Sequence, residues 1–468
     1  MSRVTAVQRA RPGPPSDCAT VSYALPSAQP NVPGRGITAS YSRRFWAAVV
    51  AIGVGAGLGA AGLIVLLRAV QHLAWDYSSG PFLNAVEQTS SAHRVIVVTI
   101  GGVVAGLGVV ALARFNTSDV SEALWLRRAR LPLLASFARA VHSIVIVALG
   151  ASLGREAAPQ QAGAAIASTL GERAGFPEWQ RRLLVACGAG AGMAAVYNIP
   201  FGGALFALEV LLGTLALPFV LPALATALIA TAVAWVYIPK APTYLIAEHI
   251  THPTQILWAA IAGPVAGVVS VLYVRLIIGA NRVRPRTTVP RLLAPVAVFA
   301  ALGVLAIAYP QVLGNGRNVV QLGLVGALAA GLTAVLLVLK PLSTAGCLGS
   351  GAPGGLFTPT LAVGVLLGSL GGRAWELLWP GAPISTYAVI GGAAVLAASM
   401  QAPLAAIVLM LELTHRAEGL LVPILLAVVG ATLVSRRMGA HSIYSARLTM
   451  GREEEAAARA AEREGMPA

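Results

Sequence analysis

The sequence predicts an all-α protein that crosses a membrane several times and consists of two related halves of interrupted helices. Three observations support this fold class. Of the 468 residues, 57% are hydrophobic and 11% are charged, whereas soluble domains carry about 25% charged residues. Two long stretches contain no charged side chain, and the second half of the chain repeats landmarks of the first half.

The first two predicted spans are residues 45–67 and residues 95–113, neither of which contains a charged side chain. Each is close to the roughly 20 residues that a helix needs to cross a bilayer. Later apolar runs, such as 131–153 and 420–434, stand next to glycine or proline. The chain contains 50 glycines and 29 prolines, which favours closely packed, broken helices over long regular spans.

The positive charge of the chain lies between or beside the apolar runs. The net charge is +15, but the arginines cluster in connections, as they do in cytoplasmic loops of membrane proteins. We therefore expect a bilayer as partner and no nucleic acid. Residues 1–44 are predicted to be a flexible basic cytoplasmic tail, because they lack the apolar core of a secretory signal. Residues 449–468 are predicted to be a short charged cytoplasmic tail. The domain at 45–448 would lie in the cell (inner) membrane.

A carboxylate and a guanidinium stand between two apolar runs at Gly154-Arg155-Glu156. Ionisable residues at membrane depth are costly, so they mark an ion pathway or a structural ion pair. Gly154 suits a break between helix segments. A helix beginning there would turn its free N–H groups toward the break and attract an anion. Two interpretations stay open: Glu156 occupies or gates an anion site, or it only neutralises Arg155.

An internal repeat relates the two halves of the chain, about 45–250 and 251–448. A shift of about 200 positions matches five pairs of residues: Gly154 with Gly355, Gly163 with Gly364, Gly188 with Gly391, Pro200 with Pro403, and Glu209 with Glu412. The proline and the glutamate are nine residues apart in both halves, which argues against coincidence. Matching breaks in two halves are typical of transporters that bind their substrate near the bilayer midplane.

Several motifs, taken in order along residues 45–448, resemble those of the CLC family of chloride channels and chloride/proton antiporters. The stretch 154–156 is similar to the family's G-[KR]-E-G-P motif, and the stretch 355–359 is similar to G-x-F-x-P. The stretch 197–200 resembles Phe/Tyr-Asn-x-Pro, and 349–355 resembles Ser-Gly-Ala-Pro-Gly-Gly. Tyr444 is similar to the family's pore tyrosine. The likeness is to prokaryotic-type members without CBS domains.

The resemblance implies the family's fold, with two inverted-topology repeats of tilted and broken helices, and a homodimer with one pore in each subunit. Chloride ions and the bilayer are then the partners, and no cofactor or metal is expected. The residues that the resemblance assigns to anion binding are Ser118, Val120, Glu156, Phe357 and Tyr444, with Glu156 as the gate. Those that it assigns to the helix-break motif are Gly154, Arg155, Gly355, Leu356 and Pro359.

Three departures from the family pattern, at four positions, bear on function. Asp119 replaces a glycine beside the pore serine, whose place Ser118 takes, and residues 157–158 are Ala-Ala instead of Gly-Pro. Val210 stands where antiporters of the family often carry an inner glutamate, and valine cannot titrate. This favours a passive chloride channel gated by Glu156. The alternative, a chloride/proton antiporter, stays open because some antiporters lack that glutamate, and Ser118 argues against a fluoride exporter.

An intramembrane enzyme would need a nucleophile with a base, or clustered histidines and carboxylates. His249 and His252 are close in sequence, with Glu248 beside them, but they lie in a proline-flanked connection between the halves. We interpret this connection as a solvated loop. The sequence therefore predicts that the chain is not an enzyme.

Overall fold

The computed structural model describes residues 41–115, 117–246 and 253–445. The predicted tails at 1–44 and 449–468 lie almost wholly outside these ranges, and His249 and His252 lie outside them too. Within the described ranges, all regular secondary structure is helical, apart from a single pair of bridged residues.

The first half runs from Arg43 to Ala234. Its helices are α1 (Arg43–Trp75), α2 (Phe82–Gln88), α3 (Ser91–Leu112), α4 (Val120–Leu126), α5 (Leu133–Ala148), α6 (Ala157–Arg173), α7 (Glu178–Tyr197), α8 (Pro200–Leu205) and α9 (Leu217–Ala234). A π-helical segment, Phe206–Leu212, continues α8.

The second half follows the same plan. Its helices are α10 (Pro253–Arg282), α11 (Thr288–Ala308), α12 (Arg317–Leu324), α13 (Ala330–Gly349), α14 (Phe357–Glu376), α15 (Ile384–Met400), α16 (Pro403–Thr414) and α17 (Leu421–Arg437). Short 3-10 turns, Pro310–Val312 and Glu418–Leu420, precede α12 and α17.

Seven of the described helices are long and apolar enough to cross a membrane, which confirms the prediction of a multi-pass membrane protein. The predicted spans 45–67 and 95–113 fall within or close to α1 and α3. The apolar run 131–153 is not one helix, because α5 ends at Ala148. Gly150 and its repeat mate Gly351 both adopt left-handed backbone angles, with φ of 108° and 101°. Glycine alone adopts such angles readily, so it can end the helix before each break.

The two halves are inverted relative to each other, and Gly154 and Gly355 show this directly. The Gly154 N–H donates to the Gly355 carbonyl at 2.7 Å, and the Gly355 N–H donates back at 2.8 Å. The pair forms an antiparallel bridge. Equivalent segments that meet antiparallel run in opposite directions, as inverted-topology repeats require. The same equivalence holds elsewhere, since α6 packs on α7 as α14 packs on α15.

Small residues allow this close packing. Gly163 of α6 faces Gly188 of α7, and their repeat mates Gly364 and Gly391 meet in the same way. A Cβ added to Gly364 would lie 2.6 Å from the Gly391 carbonyl oxygen, closer than such atoms approach in proteins. The glycines matched by the sequence repeat are therefore positions where two helices touch backbone to backbone.

Two glutamates link the halves by capping each other's helices. The Glu209 carboxylate accepts hydrogen bonds from the Ala405 N–H at 2.6 Å and the Leu404 N–H at 3.3 Å, at the start of α16. The Glu412 carboxylate accepts from the Gly202 N–H at 2.6 Å and the Phe201 N–H at 3.1 Å, at the start of α8. Each glutamate therefore caps a helix of the opposite half.

Candidate functional site

The site is built around the bridge between Gly154 and Gly355, where two helix breaks meet. Gly154 precedes Glu156 and α6, and Gly355 precedes Phe357 and α14. A side chain at either glycine would clash with the Glu156 carboxylate. Only glycine leaves room for the carboxylate between the two breaks, which explains why this residue type stands at both repeat positions.

The Glu156 side chain is buried and occupies the N-terminus of α14. Its Oε1 accepts a hydrogen bond from the Phe357 N–H at 2.7 Å. Its Oε2 accepts from the Tyr197 hydroxyl at 3.1 Å and from the Thr358 hydroxyl at 3.3 Å. A helix N-terminus attracts negative charge because its first N–H groups lack helical partners. The carboxylate therefore lies in a site that suits an anion.

The structure corrects one detail of the sequence-based picture. We expected Glu156 to use the N-terminus of the helix that it precedes, α6. It is the N-cap residue of α6 but makes no side-chain capping bond there, because the folded repeat brings the start of α14 closer to its carboxylate. Among the described residues, Glu156 forms no ion pair with Arg155, so the interpretation that it only neutralises Arg155 is wrong.

The Arg155 guanidinium lies on another side of the break. It stands 5.2 Å from the ring centroid of Tyr197 and lines a cavity of about 550 Å³. We call this cavity the Arg317 cavity, after the arginine that begins α12 and also lines it. The ends of α1 and α2 and the 311–321 segment form its other walls.

Ser118 lies in the segment that precedes α4, and Val120 is the first residue of that helix. Both are buried. The Ser118 carbonyl accepts a hydrogen bond from the Gln161 amide at 3.0 Å, which ties this segment to α6. The Ser118 hydroxyl is buried and has no hydrogen-bond partner among the described residues. A buried donor without a partner is uncommon, and a bound anion would satisfy it.

Asp119 is the N-cap residue of α4, but its side chain makes no capping bond. It forms an ion pair with Arg139 of α5 at 2.5 Å. These two residues and Arg284 line a second, smaller space, which we call the Arg139 cavity. Arg155 lines the Arg317 cavity and Ala157 lines the Arg139 cavity, so the two sequence neighbours of Glu156 face different cavities.

Tyr444 follows α17 and is partly buried. Its ring packs edge-on against Phe206 at 5.4 Å between centroids. The preceding residue, Ile443, donates its N–H to the Ser399 carbonyl at 2.8 Å, which holds the segment against α15. Glu156, Phe357, Gly154 and Gly355 therefore meet directly. Gln161 links Ser118 to this group, and contacts with Phe206 and α15 position Tyr444.

Two residues of the site were missed in the sequence. The hydroxyls of Tyr197 and Thr358 bind the Glu156 carboxylate and also lie 2.7 Å from each other. Both stand inside recognised motifs, at 197–200 and 355–359, but nothing in the motifs showed that they share one partner. The available signal was a hydroxyl-bearing residue at a predicted helix end, a feature too common to single them out.

The position of Val210 is also defined. It lies in the π-helical segment after α8, beside Glu209, and is half-buried. The Glu209 carboxylate is engaged with the start of α16, as described above. Among the described residues, no group of three or more histidines, cysteines and carboxylates is arranged as a metal site.

Comparisons with known proteins decide the family. A model of the family described as "Voltage gated chloride channel" matches residues 101–436. The chain belongs to the CLC family. The helix breaks at 154–156 and 355–359 both lie within the matched range. Members of this family are transporters and channels, so the prediction that the chain is not an enzyme is confirmed.

Relatives cover most of the chain. A Ralstonia nicotianae protein described as "Putative chloride channel protein ClcB-like" is 35% identical over 373 residues, 77% of this chain and 86% of the relative. A Citrobacter koseri protein described as "Voltage-gated ClC-type chloride channel ClcB" is 32% identical over 406 residues, 84% of this chain and 96% of the relative.

Solved structures share the fold. A slow cyanobacterial Cl⁻/H⁺ antiporter superposes with a TM-score of 0.77 at 20% identity, over 88% of this chain and 99% of that one. A CLC-type fluoride/proton antiporter superposes with a TM-score of 0.70 at 20% identity, over 86% of this chain and 97% of that one. At this identity the likeness confirms the fold of inverted repeats and carries no argument about the transported ions.

Proposed function

We propose that this CLC protein is a passive chloride channel gated by Glu156. The observation that carries the proposal is the buried Glu156 carboxylate at the N-terminus of α14, bonded to the Phe357 N–H at 2.7 Å. The relatives' names, which describe chloride channels, agree with it. The side chain holds the place of a permeating anion, with the Arg317 cavity on one side and the Arg139 cavity on the other.

The gate works by competition for hydrogen-bond donors. An ionised Glu156 accepts from Phe357, Tyr197 and Thr358 and excludes chloride from these donors. Protonation removes the negative charge that the helix N-terminus attracts, so chloride can displace the neutral acid. Ser118, Val120 and Tyr444 would contact the ion further along the pathway, where hydroxyl and N–H donors replace lost hydration.

The choice of channel over antiporter rests on Val210 and Glu209. Coupled proton transfer needs a titratable relay between the gate and the opposite membrane face, and Val210 cannot provide one. Glu209 is the neighbouring acid, but two N–H groups of α16 already bind its carboxylate. The chloride/proton antiporter is the second candidate, since antiporters share this fold. The presence of Ser118 makes fluoride export a third and weaker one.

We further propose a homodimer in the inner membrane with both termini in the cytoplasm. Arginines in connections or near helix ends, at 127–130, 181–182, 282–291 and 436–437, support this orientation, because positive residues concentrate on the cytoplasmic side. Many large apolar side chains of the described residues are exposed on the isolated chain, including Leu73, Leu134 and Leu377. Lipid and a second subunit would cover surfaces of this kind.

The test is a flux measurement in liposomes under crossed gradients of chloride and pH. A channel moves chloride down its own gradient, and its reversal potential does not change when only the pH gradient is altered. Liposomes without protein measure the background leak of chloride. Liposomes with the Glu156→Gln protein measure the flux when the charged gate is absent. Uphill proton movement driven by chloride would replace the channel with the antiporter. Absence of chloride flux in both proteins would contradict the proposal altogether.

A further inference from the structure

The Arg317 cavity has a strongly positive lining. The charged residues that line it are Arg68 of α1, Arg155 beside the gate and Arg317 at the start of α12, and His72 adds a titratable group. No aspartate or glutamate lines it. Of the carboxylates close in the fold, Glu87 accepts from Gln311 at 3.3 Å without reaching the lining. The cavity therefore gathers three guanidiniums without a compensating carboxylate in its lining.

Arg317 is held in place and still has N–H groups free for a ligand. One Nη of Arg317 donates to the Thr243 carbonyl at 3.3 Å, which leaves other N–H groups of the fork for a ligand. Burial, followed by the nearby charge of Arg155, lowers the pKa of Arg317. The Nε of Arg155, a residue that lines the cavity, has no hydrogen-bond partner among the described residues. Unsatisfied buried donors next to like charges are costly unless an anion binds them.

We propose that the Arg317 cavity binds a multivalent oxoanion of the phosphate class and that the bound oxoanion obstructs chloride access to Glu156. A cavity of about 550 Å³ is far larger than a single chloride ion needs. Phosphate oxygens match the planar fork of a guanidinium in a bidentate way, and several oxygens can bind several arginines at once. The effect on flux rests on the proposed chloride pathway, whereas binding of the oxoanion does not.

Binding is tested first, without transport. Calorimetry on the purified full chain in neutral detergent uses inorganic phosphate, with sulfate as a second divalent probe and nitrate as a monovalent one. We expect phosphate and sulfate to bind more tightly than nitrate. Arg317→Gln and Arg68→Gln each remove a charged donor and should weaken phosphate binding about tenfold. Arg317→Lys keeps the charge but loses the fork, so its effect should be intermediate.

Two control variants locate the site. Lys240→Gln removes a positive charge from the 235–246 connection, which contacts the cavity wall through Leu245 and Gln321, but Lys240 does not line the cavity. Arg284→Gln removes one from the Arg139 cavity. Both should leave phosphate binding unchanged. If Arg284→Gln weakened binding and Arg317→Gln did not, the oxoanion would bind at the other cavity and the proposal would be overturned.

The source of the oxoanion is tested by flux. Inhibition of chloride flux by added phosphate in vesicles of uncharged lipid, lost in Arg317→Gln, identifies free phosphate. Inhibition that appears only when phosphatidylglycerol is included, and is lost in the same variant, identifies a lipid headgroup. Binding with no inhibition in either vesicle contradicts the obstruction. No phosphate or sulfate binding together with no lipid effect contradicts the whole inference, even if chloride flux is normal.

Discussion

Glu156 is held by three donors that come from two other helices, and this defines the behaviour expected of a single side chain. Glu156→Gln removes the charge while keeping the size of the side chain. We expect higher chloride flux with no dependence on pH, because the neutral amide competes poorly for the Phe357 N–H. Flux from liposomes between acidic and alkaline pH measures this. An unchanged flux and pH profile would contradict the assignment of the gate.

Tyr197 offers a milder test of the same gate. Tyr197→Phe removes one of the two hydroxyls on Oε2 and leaves the Phe357 bond intact. A hydrogen bond to a charged group contributes about 1.5–3 kcal/mol, so the carboxylate should leave more easily and flux at neutral pH should rise several-fold. Tyr387→Phe is the matched control, since its hydroxyl donates to Glu376 at 2.6 Å, another carboxylate far from the gate. Equal effects of the two variants would argue against a specific role for Tyr197.

Asp119 is the departure from the family pattern that the structure explains most directly. Its carboxylate pairs with Arg139 at 2.5 Å, so it lowers the positive potential of the Arg139 cavity. Asp119→Gly should leave Arg139 unpaired and raise chloride flux a few-fold at low salt. The gain should shrink at high salt, because the screening length falls to about 3 Å at 1 M.

The matched control for Asp119 is Glu122→Gln. Glu122 lies on the same helix and pairs with Arg127 at 2.9 Å, but it does not line the cavity. Its flux should resemble that of the unmodified protein at every salt concentration. A gain in Asp119→Gly that does not depend on salt would point to a change of backbone at the start of α4 instead of electrostatics.

For single residues, the sequence identified members of the site more accurately than it identified their contacts. Glu156 and Phe357 were both predicted and lie in contact. Tyr197 and Thr358 were missed as partners because 161 positions separate them, and only the folded repeat brings them to one carboxylate. The partner of Asp119 was not predicted either, because local propensity marks a helix start but does not identify an arginine 20 positions away.

At the scale of elements, the reciprocal caps of α8 and α16 make a quantitative prediction. Glu209→Gln and Glu412→Gln each replace a charged acceptor at a helix N-terminus with a neutral one. Such a change costs about 1 kcal/mol of stability, and pseudo-symmetry predicts similar losses for the two variants. Thermal unfolding in detergent, followed by circular dichroism, should show comparable decreases in the midpoint temperature.

Glu418→Gln is the control for these caps, because Glu418 lies at the start of an exposed 3-10 turn and not at a partner's helix. Its midpoint temperature should not change. A large decrease in midpoint temperature for one capping glutamate and none for the other would show that the two caps contribute unequally to stability, despite their matched geometry.

The elements themselves were partly predictable. Hydropathy located α1 and α3, and the repeat matched Gly154 with Gly355 before their contact was known. Helix ends were less accurate: α1 extends to Trp75, and the run 131–153 divides after Ala148. Apolar composition indicates which segments lie in the bilayer, whereas a glycine with left-handed backbone angles, such as Gly150, determines where a helix ends. Because glycine is frequent throughout this chain, the sequence does not show which glycine ends a helix.

At the scale of the whole molecule, the inverted halves place one buried glutamate, the proposed gate, at the helix breaks, with no equivalent acid from the second half. The repeat mate of Glu156 is Phe357, shifted by 201 positions in the same register as Gly154 and Gly355. The second half therefore contributes a backbone N–H where the first contributes a carboxylate. The proposed gate therefore combines a carboxylate from one half with a backbone N–H donor from the other half.

Val210 allows a test of whether proton transport is coupled to chloride transport. The unmodified protein should carry chloride with no coupled protons, so a chloride gradient should not drive protons uphill in purified liposomes. Val210→Glu supplies a titratable group at the position where antiporters of the family often have one. This position is next to Glu209, which caps α16. If that position connects the gate to the far membrane face, this variant should show some chloride-driven proton movement. Val210→Gln, which has similar size but no titratable group, should show none.

Uphill proton transport by the unmodified protein would refute the channel. If Glu209→Gln then removed proton transport while sparing chloride flux, Glu209 would be the relay, and its bonds to α16 would have to break during each transport cycle.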